Sequence, residues 1–216
     1  MGALHSRLRR LLAVRDPRRR YNCHLQASPD WEMRAVDAAA LLKAAIVDAP
    51  QRRHLEIADF GAGNKRLLAV LRRTIETPFD YHPYDLHPQT DDIQRIDVQE
   101  KLPDRQFDVV FCLGLLEYLR DLDEFVWGLR GICRYTVVSY VITDPADSLG
   151  SAERRRRGWL TDLDRAGVDE LFRRHSYTRQ AFALTDAGMT GLWLWETQRD
   201  DAPIPGITER SWRFAP

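Results

Sequence analysis

Apolar and polar positions along the chain alternate between a helical and a strand period. Trp31, Ala35, Ala38, Leu42 and Ile46 recur at helical spacing. They predict a helix that Ser28 caps and Pro29 opens, with Pro50 beyond its end. Leu55 to Ala58 is a short apolar run closed by Asp59, and it predicts a buried strand. Two glycines, Gly61 and Gly63, come next. Leu67, Leu68, Leu71 and Ile75 then restore the helical period from Lys65 to a stop before Pro78. Phe79 to Tyr84 predicts a second strand ending at Asp85, and Ile93 to Ile96 a short third ending at Asp97. Phe107 to Leu113 is nearly continuous in apolar residues, as a central parallel strand should be. Leu122, Phe125, Val126, Leu129 and Ile132 mark a helix over Asp121 to Cys133, and Tyr135 to Ile142 reads as a fifth strand. A polar, arginine-rich loop leads to a helix over Asp164 to Arg174 with Val168, Leu171 and Phe172 inward. Ser176 to Phe182 and Gly191 to Glu196 predict a closing antiparallel pair.

Strands that alternate with helices before a closing pair of strands predict a doubly wound α/β sheet. Its 216 residues suit one such domain with a substantial core. Residues 29–198 form that body, 1–28 a basic arm or lid, and 199–216 an irregular tail containing Pro203, Pro205 and Gly206. In the arm, Leu4, Leu8, Leu11 and Leu12 lie at helical spacing among arginines. Such a segment caps a domain, stays solvated, or lies on a membrane surface.

Charge and cysteine usage narrow the setting. The 32 basic and 32 acidic side chains cancel, so no global field draws the chain to nucleic acid or membrane. Cys23, Cys112 and Cys133 are odd in number and lack C-x-x-C spacing, which argues against a disulfide framework and for a reducing cytoplasm. Cys112, inside an apolar run, reads as a buried thiol. No apolar run approaches the roughly 20 residues that span a bilayer, and the first twenty residues lack the apolar core of a signal peptide.

The candidate chemistry gathers at strand ends. In Ile57-Ala58-Asp59-Phe60-Gly61-Ala62-Gly63-Asn64 a strand, a glycine turn and a helix follow in the order of a nucleotide-binding loop. By itself that pattern is also an ordinary strand-to-helix turn. Asp59, Asp85 and Asp97, however, close three successive strands, and ligands of doubly wound sheets bind beyond those ends. A carboxylate at Asp85 is suited to both hydroxyls of a ribose. Asp97 would accept from an adenine amino group while the Val98 N–H donates to the ring, and Asp59 would orient the loop beside a cationic group.

These stretches resemble the class I S-adenosylmethionine-dependent methyltransferases. The resemblance runs through IADFGAGNKRLLAVL, PYDLHP and RIDVQEKLPDRQFDVVFCLGLLEYLRDLDEFVWGLRGI, and covers about residues 55 to 142. Most specific is FDVVFCLGLLEYLRD, since the family often carries a similar strand followed by Leu-Glu-His. The resemblance implies a mostly parallel seven-stranded sheet with its last strand antiparallel, and S-adenosylmethionine as cofactor. Asp59, Gly61 and Gly63 would hold its methionyl end, Asp85 the ribose, and Asp97 with Val98 the adenine, with Leu86 also cofactor-binding. The fourth strand end, Cys112 to Leu115 and with it Leu113, would pass beneath the sulfonium. The chain departs from the family pattern at Asn64-Lys65, where glycine is frequent, and at Tyr118, where histidine is.

The reaction expected is methyl transfer by in-line displacement to the oxygen or nitrogen of a small-molecule acceptor such as a sugar, a polysaccharide precursor or a secondary metabolite. Positioning supplies much of the rate of such a step. Candidate catalytic groups are Glu117, Tyr118 and, if the arm folds over the site, Tyr21; Tyr140, His175 and His24 are further candidates. Arg154 to Arg157 form either a solvated run or a receptor for a phosphorylated or carboxylated acceptor. An NAD-binding reading would need glycine where Arg66 stands. Leu113-Gly114-Leu115-Leu116 replaces the polar-Pro-Pro-aromatic tetrad of enzymes that methylate nucleic-acid bases, so no nucleic-acid substrate is expected. His82, Asp85 and His87 suggest a metal only weakly, with no second ligand cluster in the sequence, so none is expected. GLRGICRYTVVSY also resembles the methyltransferase-like protein of bacterial methionine biosynthesis, whose family works beside an acyltransferase. That implies a silent partner protein as the alternative, and a homodimer or an enzyme as partner.

Overall fold

The computed structural model describes residues 29–47, 54–145 and 148–197. The arm at 1–28 and the tail from 199 lie outside the described residues, and with them Ser28, Tyr21, His24 and Cys23. Seven strands form one sheet: β1 (Leu55–Phe60), β2 (Phe79–Asp85), β3 (Gln94–Arg95), β4 (Phe107–Leu113), β5 (Cys133–Val141), β6 (Tyr177–Thr185) and β7 (Thr190–Thr197). Their order is β3-β2-β1-β4-β5-β7-β6. All neighbours from β3 to β5 are parallel, while β7 runs antiparallel to both β5 and β6. The doubly wound, mostly parallel sheet expected from the sequence is therefore present, with the chain reversing direction only in its last strand. Between β1 and β4 the order changes direction, which opens a crevice at their C-terminal ends.

Central strands are apolar on both faces because helices cover both. On one face Leu55, Ile57, Val109, Phe111 and Val137 pack against α1 (Pro29–Val47) and α2 (Arg66–Thr74). Ala38, Ala39 and Leu42 of α1 are fully buried there, joined by Leu67, Val70 and Leu71 of α2. On the other face Phe60, Val110, Cys112, Val138, Trp193 and Trp195 meet α3 (Leu122–Ile132) and α5 (Arg165–Arg174). Trp195 stacks on Phe172 with ring centroids 4.9 Å apart. Asp121 and Asp164, which open the predicted helices, are their caps and accept from the Glu124 and Gly167 N–H groups at 2.9 and 2.7 Å.

Departures from the sequence reading lie at the edges. β3 is only two residues long, at the sheet margin, where Ile93 turns inward beside it. β6 and β7 extend toward each other to a tight turn at Asp186–Gly188, whose Asp186 and Ala187 adopt left-handed φ of 52° and 54°. The arginine-rich loop contains a short helix, α4 (Ser151–Arg156).

Arg154 departs from both readings of the arginine run, whereas Arg155, Arg156 and Arg157 are exposed as the solvated reading expects. Arg154 is fully buried, and its guanidinium donates to Asp162 Oδ1 at 2.7 Å, Val141 O at 2.8 Å, and Tyr140 Oη and Thr161 O at 3.1 Å. With those donors committed it neither faces solvent nor receives an anion; it pins α4 to the end of β5. Arg156 and Arg157 are exposed and pair with Glu153 on their own turn. Arg154→Ala should therefore destabilise the domain by about 3–5 kcal/mol, as removal of one partner from a buried pair does, whereas Arg155→Ala should change stability by less than about 0.5 kcal/mol. Urea unfolding of the two variants checks this.

Candidate functional site

Register brings the loops that follow β1, β2 and β4 together. Phe60 lies opposite Tyr84 and Asp59 opposite both Pro83 and Phe111, so the three strands end at nearly one level. At Gly61 and Gly63 the backbone turns with φ of 79° and 52°, where a side chain is strained. Gly61 and Ala62 donate their N–H groups to Tyr84 O at 2.9 and 3.0 Å. Gly63 donates to Asp85 Oδ2 at 2.9 Å, and His87 N–H donates to the other oxygen at 2.8 Å. The Asp85 carboxylate thus holds two loops, with further lone pairs on each oxygen. Asp97 accepts from the Gln99 N–H through Oδ1 at 3.0 Å, which leaves Oδ2 available.

These loops enclose a cavity at the C-terminal ends of β1, β2 and β4. Asp59, Gly61 and Gly63 line it beside Asp85 and Leu86, and Asp97, Val98 and Leu113 complete the same wall. All eight residues predicted to hold a cofactor thus converge on one space. Tyr118, in the 3-10 turn after β4, also lines it.

Other candidates fall elsewhere. Glu117 is buried outside the cavity lining, and its Oε1 accepts the Val141 N–H at 2.9 Å. Burial pushes its carboxyl above the ordinary range, against the lowering effect of that bond and of Arg34 and Arg154. Tyr140 is committed to Thr161, Leu163 and Arg154 in the core. His175 pairs with Asp123 of α3 at 2.8 Å. His82 faces Glu56 at 2.7 Å while Asp85 and His87 face the cavity, so the three do not converge on a metal.

Lys65 keeps the backbone of the glycine it stands in for. Its φ is 59°, the left-handed region, and its ammonium pairs with Asp92 of the β2–β3 loop instead of entering the cavity. The positive charge is therefore neutralised outside the site.

Two wall features were illegible in the sequence. Trp31, read as part of a core stripe, lines the cavity. A Cβ at Gly114 would come within 2.7 Å of its ring, so the indole lies against bare backbone just after β4. Arg34 stacks 4.6 Å over that ring and is itself anchored by the Asp186 carboxylate in the β6–β7 turn. The second lies behind the wall: the Tyr81 hydroxyl donates to Asp59, which lines the cavity. Burial, helped by the Asp59 charge, raises the Tyr81 hydroxyl far above its ordinary range, so it stays protonated and remains the donor. No local pattern reveals either contact, because each joins elements distant in the chain.

Comparisons with solved structures agree with the fold. No family model matches the chain, and no curated protein matches it significantly. Among solved structures, a Burkholderia thailandensis 1,6-didemethyltoxoflavin-N1-methyltransferase is similar at a TM-score of 0.59 and 18% identity, over 77% of this chain and 79% of that one. It holds 1,6-didemethyltoxoflavin and S-adenosylhomocysteine. An Aquifex aeolicus S-adenosylmethionine-dependent methyltransferase matches at 0.57 and 11% identity, over 84% of this chain and 99% of that one. A Clostridium acetobutylicum S-adenosylmethionine-dependent methyltransferase matches at 0.55 and 7% identity, over 79% and 92%. The chain has the fold of the class I methyltransferases. Among its described residues no helix is long and apolar enough to cross a membrane.

Electrostatics at Asp59 give a pH dependence. Burial first, and the Asp85 charge after it, raise the Asp59 carboxyl from 3.8 to about 7 despite the bond from Tyr81. Between those values the folded chain holds a proton that the unfolded chain has released, so stability is greatest in acid and falls as pH rises through about 7. Denaturant unfolding from about pH 5 to pH 8 should show a loss on the order of a few kcal/mol, since each pH unit crossed below about 7 costs about 1.4 kcal/mol. Asp59→Asn should remove most of that slope, leaving the part due to Glu117.

Proposed function

We propose that the chain is an S-adenosylmethionine-dependent methyltransferase acting on a small-molecule acceptor. One observation carries this reading: the residues predicted separately for the methionyl, ribose and adenine parts of the cofactor line one cavity at the strand ends. In this reading Asp85 offers a remaining lone pair on each oxygen to the two ribose hydroxyls, and Leu86 packs beside the sugar. Asp97 Oδ2 accepts from the adenine amino group and the Val98 N–H donates to the ring. Gly61 and Gly63 let the backbone approach the methionyl end, with Leu113 beneath the sulfonium. Asp59 faces the cationic groups, and a cation there favours its ionised form.

When bound, the cofactor supplies an activated methyl group, and the protein supplies alignment and a dry wall. Trp31 and Tyr118 form the acceptor side. Trp31 gives a held aromatic surface, and Tyr118, which lines the cavity, is the candidate to relay an acceptor proton. Glu117 acts through position, holding the end of β5 behind Tyr118. Tyr21 is the arm's candidate for closing over the acceptor.

The dinucleotide alternative is disfavoured by bonding as well as sequence. A pyrophosphate needs N–H groups aimed at it, but those of Gly61, Ala62 and Gly63 are already bonded within the protein.

Calorimetric titration with S-adenosylmethionine should give stoichiometric binding. Asp85→Ala should weaken it at least about 100-fold, since two hydrogen bonds to a charged group at about 1.5–3 kcal/mol each are lost. Unchanged affinity would refute the ribose assignment. A folded chain that takes up no cofactor would favour the silent-partner alternative.

A further inference from the structure

At the end of the sheet opposite the cavity, β1 and β2 carry a second group of chemistry-bearing side chains. Glu56 lies opposite Asp80 and Ala58 opposite His82 in the parallel ladder. His54 stands two residues before Glu56, and Asp80 two before His82. Residues two apart on a strand share a face, so the sequences His-x-Glu and Asp-x-His form one array across neighbouring strands. Ligand atoms of His54, Glu56 and Asp80 all lie within 4.8 Å of one another.

The spacing suits a small tetrahedral ion. His54 Nε2 is 3.2 Å from Asp80 Oδ2, close to the edge of roughly 3.3 Å in a tetrahedron with metal–ligand bonds of about 2.0–2.1 Å. Glu56 is oriented by neighbours that leave it a donor atom. Its Oε2 meets His82 Nε2 and Arg105 Nη2, each at 2.7 Å, which leaves Oε1 for a metal. Hydrogen-bonding partners of this kind fix ligand orientation in metal sites. His82 is held in turn by Phe107, 5.8 Å away between ring centroids.

Charge favours a dication. Asp108 lies beside Glu56 and accepts its N–H at 2.9 Å. Among the described residues, the carboxylates of Glu56, Asp80 and Asp108 outnumber the Arg105 guanidinium that pairs with Glu56, a local excess of negative charge that suits a divalent ion.

The geometry points to a zinc-binding site formed by His54, Glu56 and Asp80, with His82 and Arg105 supporting Glu56. An imidazole with two carboxylates suits Zn²⁺, whereas Ca²⁺ and Mg²⁺ prefer more numerous, all-oxygen ligands. A metal here joins β1 to β2 at the ends where the chain enters them. It lies outside the cavity and stands independently of the proposed methyl transfer.

The test uses the full chain without an affinity tag, stripped with EDTA and titrated with zinc chloride by calorimetry and thermal melting. One equivalent of Zn²⁺ should bind and raise the melting temperature, and equal concentrations of Mg²⁺ or Ca²⁺ should not. The double variant His54→Ala/Asp80→Asn should retain its circular dichroism, because both side chains are exposed, yet bind Zn²⁺ at least tenfold more weakly. His82→Gln should weaken binding by about 10-fold or more, as loss of an outer partner does. Absence of stoichiometric uptake would overturn the proposal. So would equal affinity in the double variant, which would place the metal on the thiols or on other histidines.

Discussion

A single carboxylate, that of Asp85, ties the candidate site together. Its two oxygens accept the N–H groups of Gly63 and His87 and so join the loop after β1 to the loop after β2. Tyr84 O does the same for Gly61 and Ala62 one residue earlier. Without these bonds the two left-handed glycines would leave a mobile turn; with them, the cavity has a floor of fixed backbone. The parallel register of β1 and β2 makes the arrangement possible, because it brings Phe60 level with Tyr84. Sheet order then adds β4 on the other side of β1, so the third wall comes from Leu113, Gly114 and Leu115.

Around that floor, buried charges fasten the parts of the chain that a sheet alone would leave loose. Arg34 links α1 to the β6–β7 turn through Asp186, and presses Trp31 against Gly114. Arg154 links α4 to the end of β5 and, through Tyr140 and Thr161, to the segment that follows α4. Buried ion pairs of this kind add little net stability against an apolar replacement, but loss of one partner leaves an uncompensated buried charge. Each sits beside the wall that carries Trp31 and Tyr118, where shape matters more than mean stability.

The fold was legible wherever burial follows from the local pattern. β1, β4 and β5 are covered on both faces, so their apolar runs stand out, and the helices facing them repeat at helical spacing. The cavity wall was legible because Asp59, Asp85 and Asp97 lie at or just past the C-terminal ends of β1, β2 and β3, and strand ends of a parallel sheet share one side. What escaped depends on pairing between distant segments. Nothing in Arg154-Arg155-Arg156-Arg157 marks the first as buried, since the distinction lies in Asp162, Tyr140 and the Val141 carbonyl. Likewise His54 and Glu56 look ordinary until β2 sets Asp80 and His82 beside them. Lys65 departs from the family's glycine in sequence, while the structure shows a glycine-like backbone and a partner in Asp92.

The pairing of Asp59 with Asp85 bears on what the cavity prefers to hold. Two carboxylates share its wall, and their mutual repulsion adds to burial in raising Asp59 to about 7. An anionic ligand would increase that repulsion, and a neutral one would leave it in place. A ligand with a positive charge near Asp59 relieves it and lets the carboxylate ionise without water. Tyr81 already donates to Asp59, so the ionised form has one fixed hydrogen bond waiting. The same features that make ionised Asp59 unfavourable therefore favour a positive charge beside it. They also oppose a pyrophosphate, whose charge has the wrong sign and whose usual donors in the glycine loop are committed elsewhere. Electrostatics and backbone bonding thus discriminate in the same direction, independently of any motif.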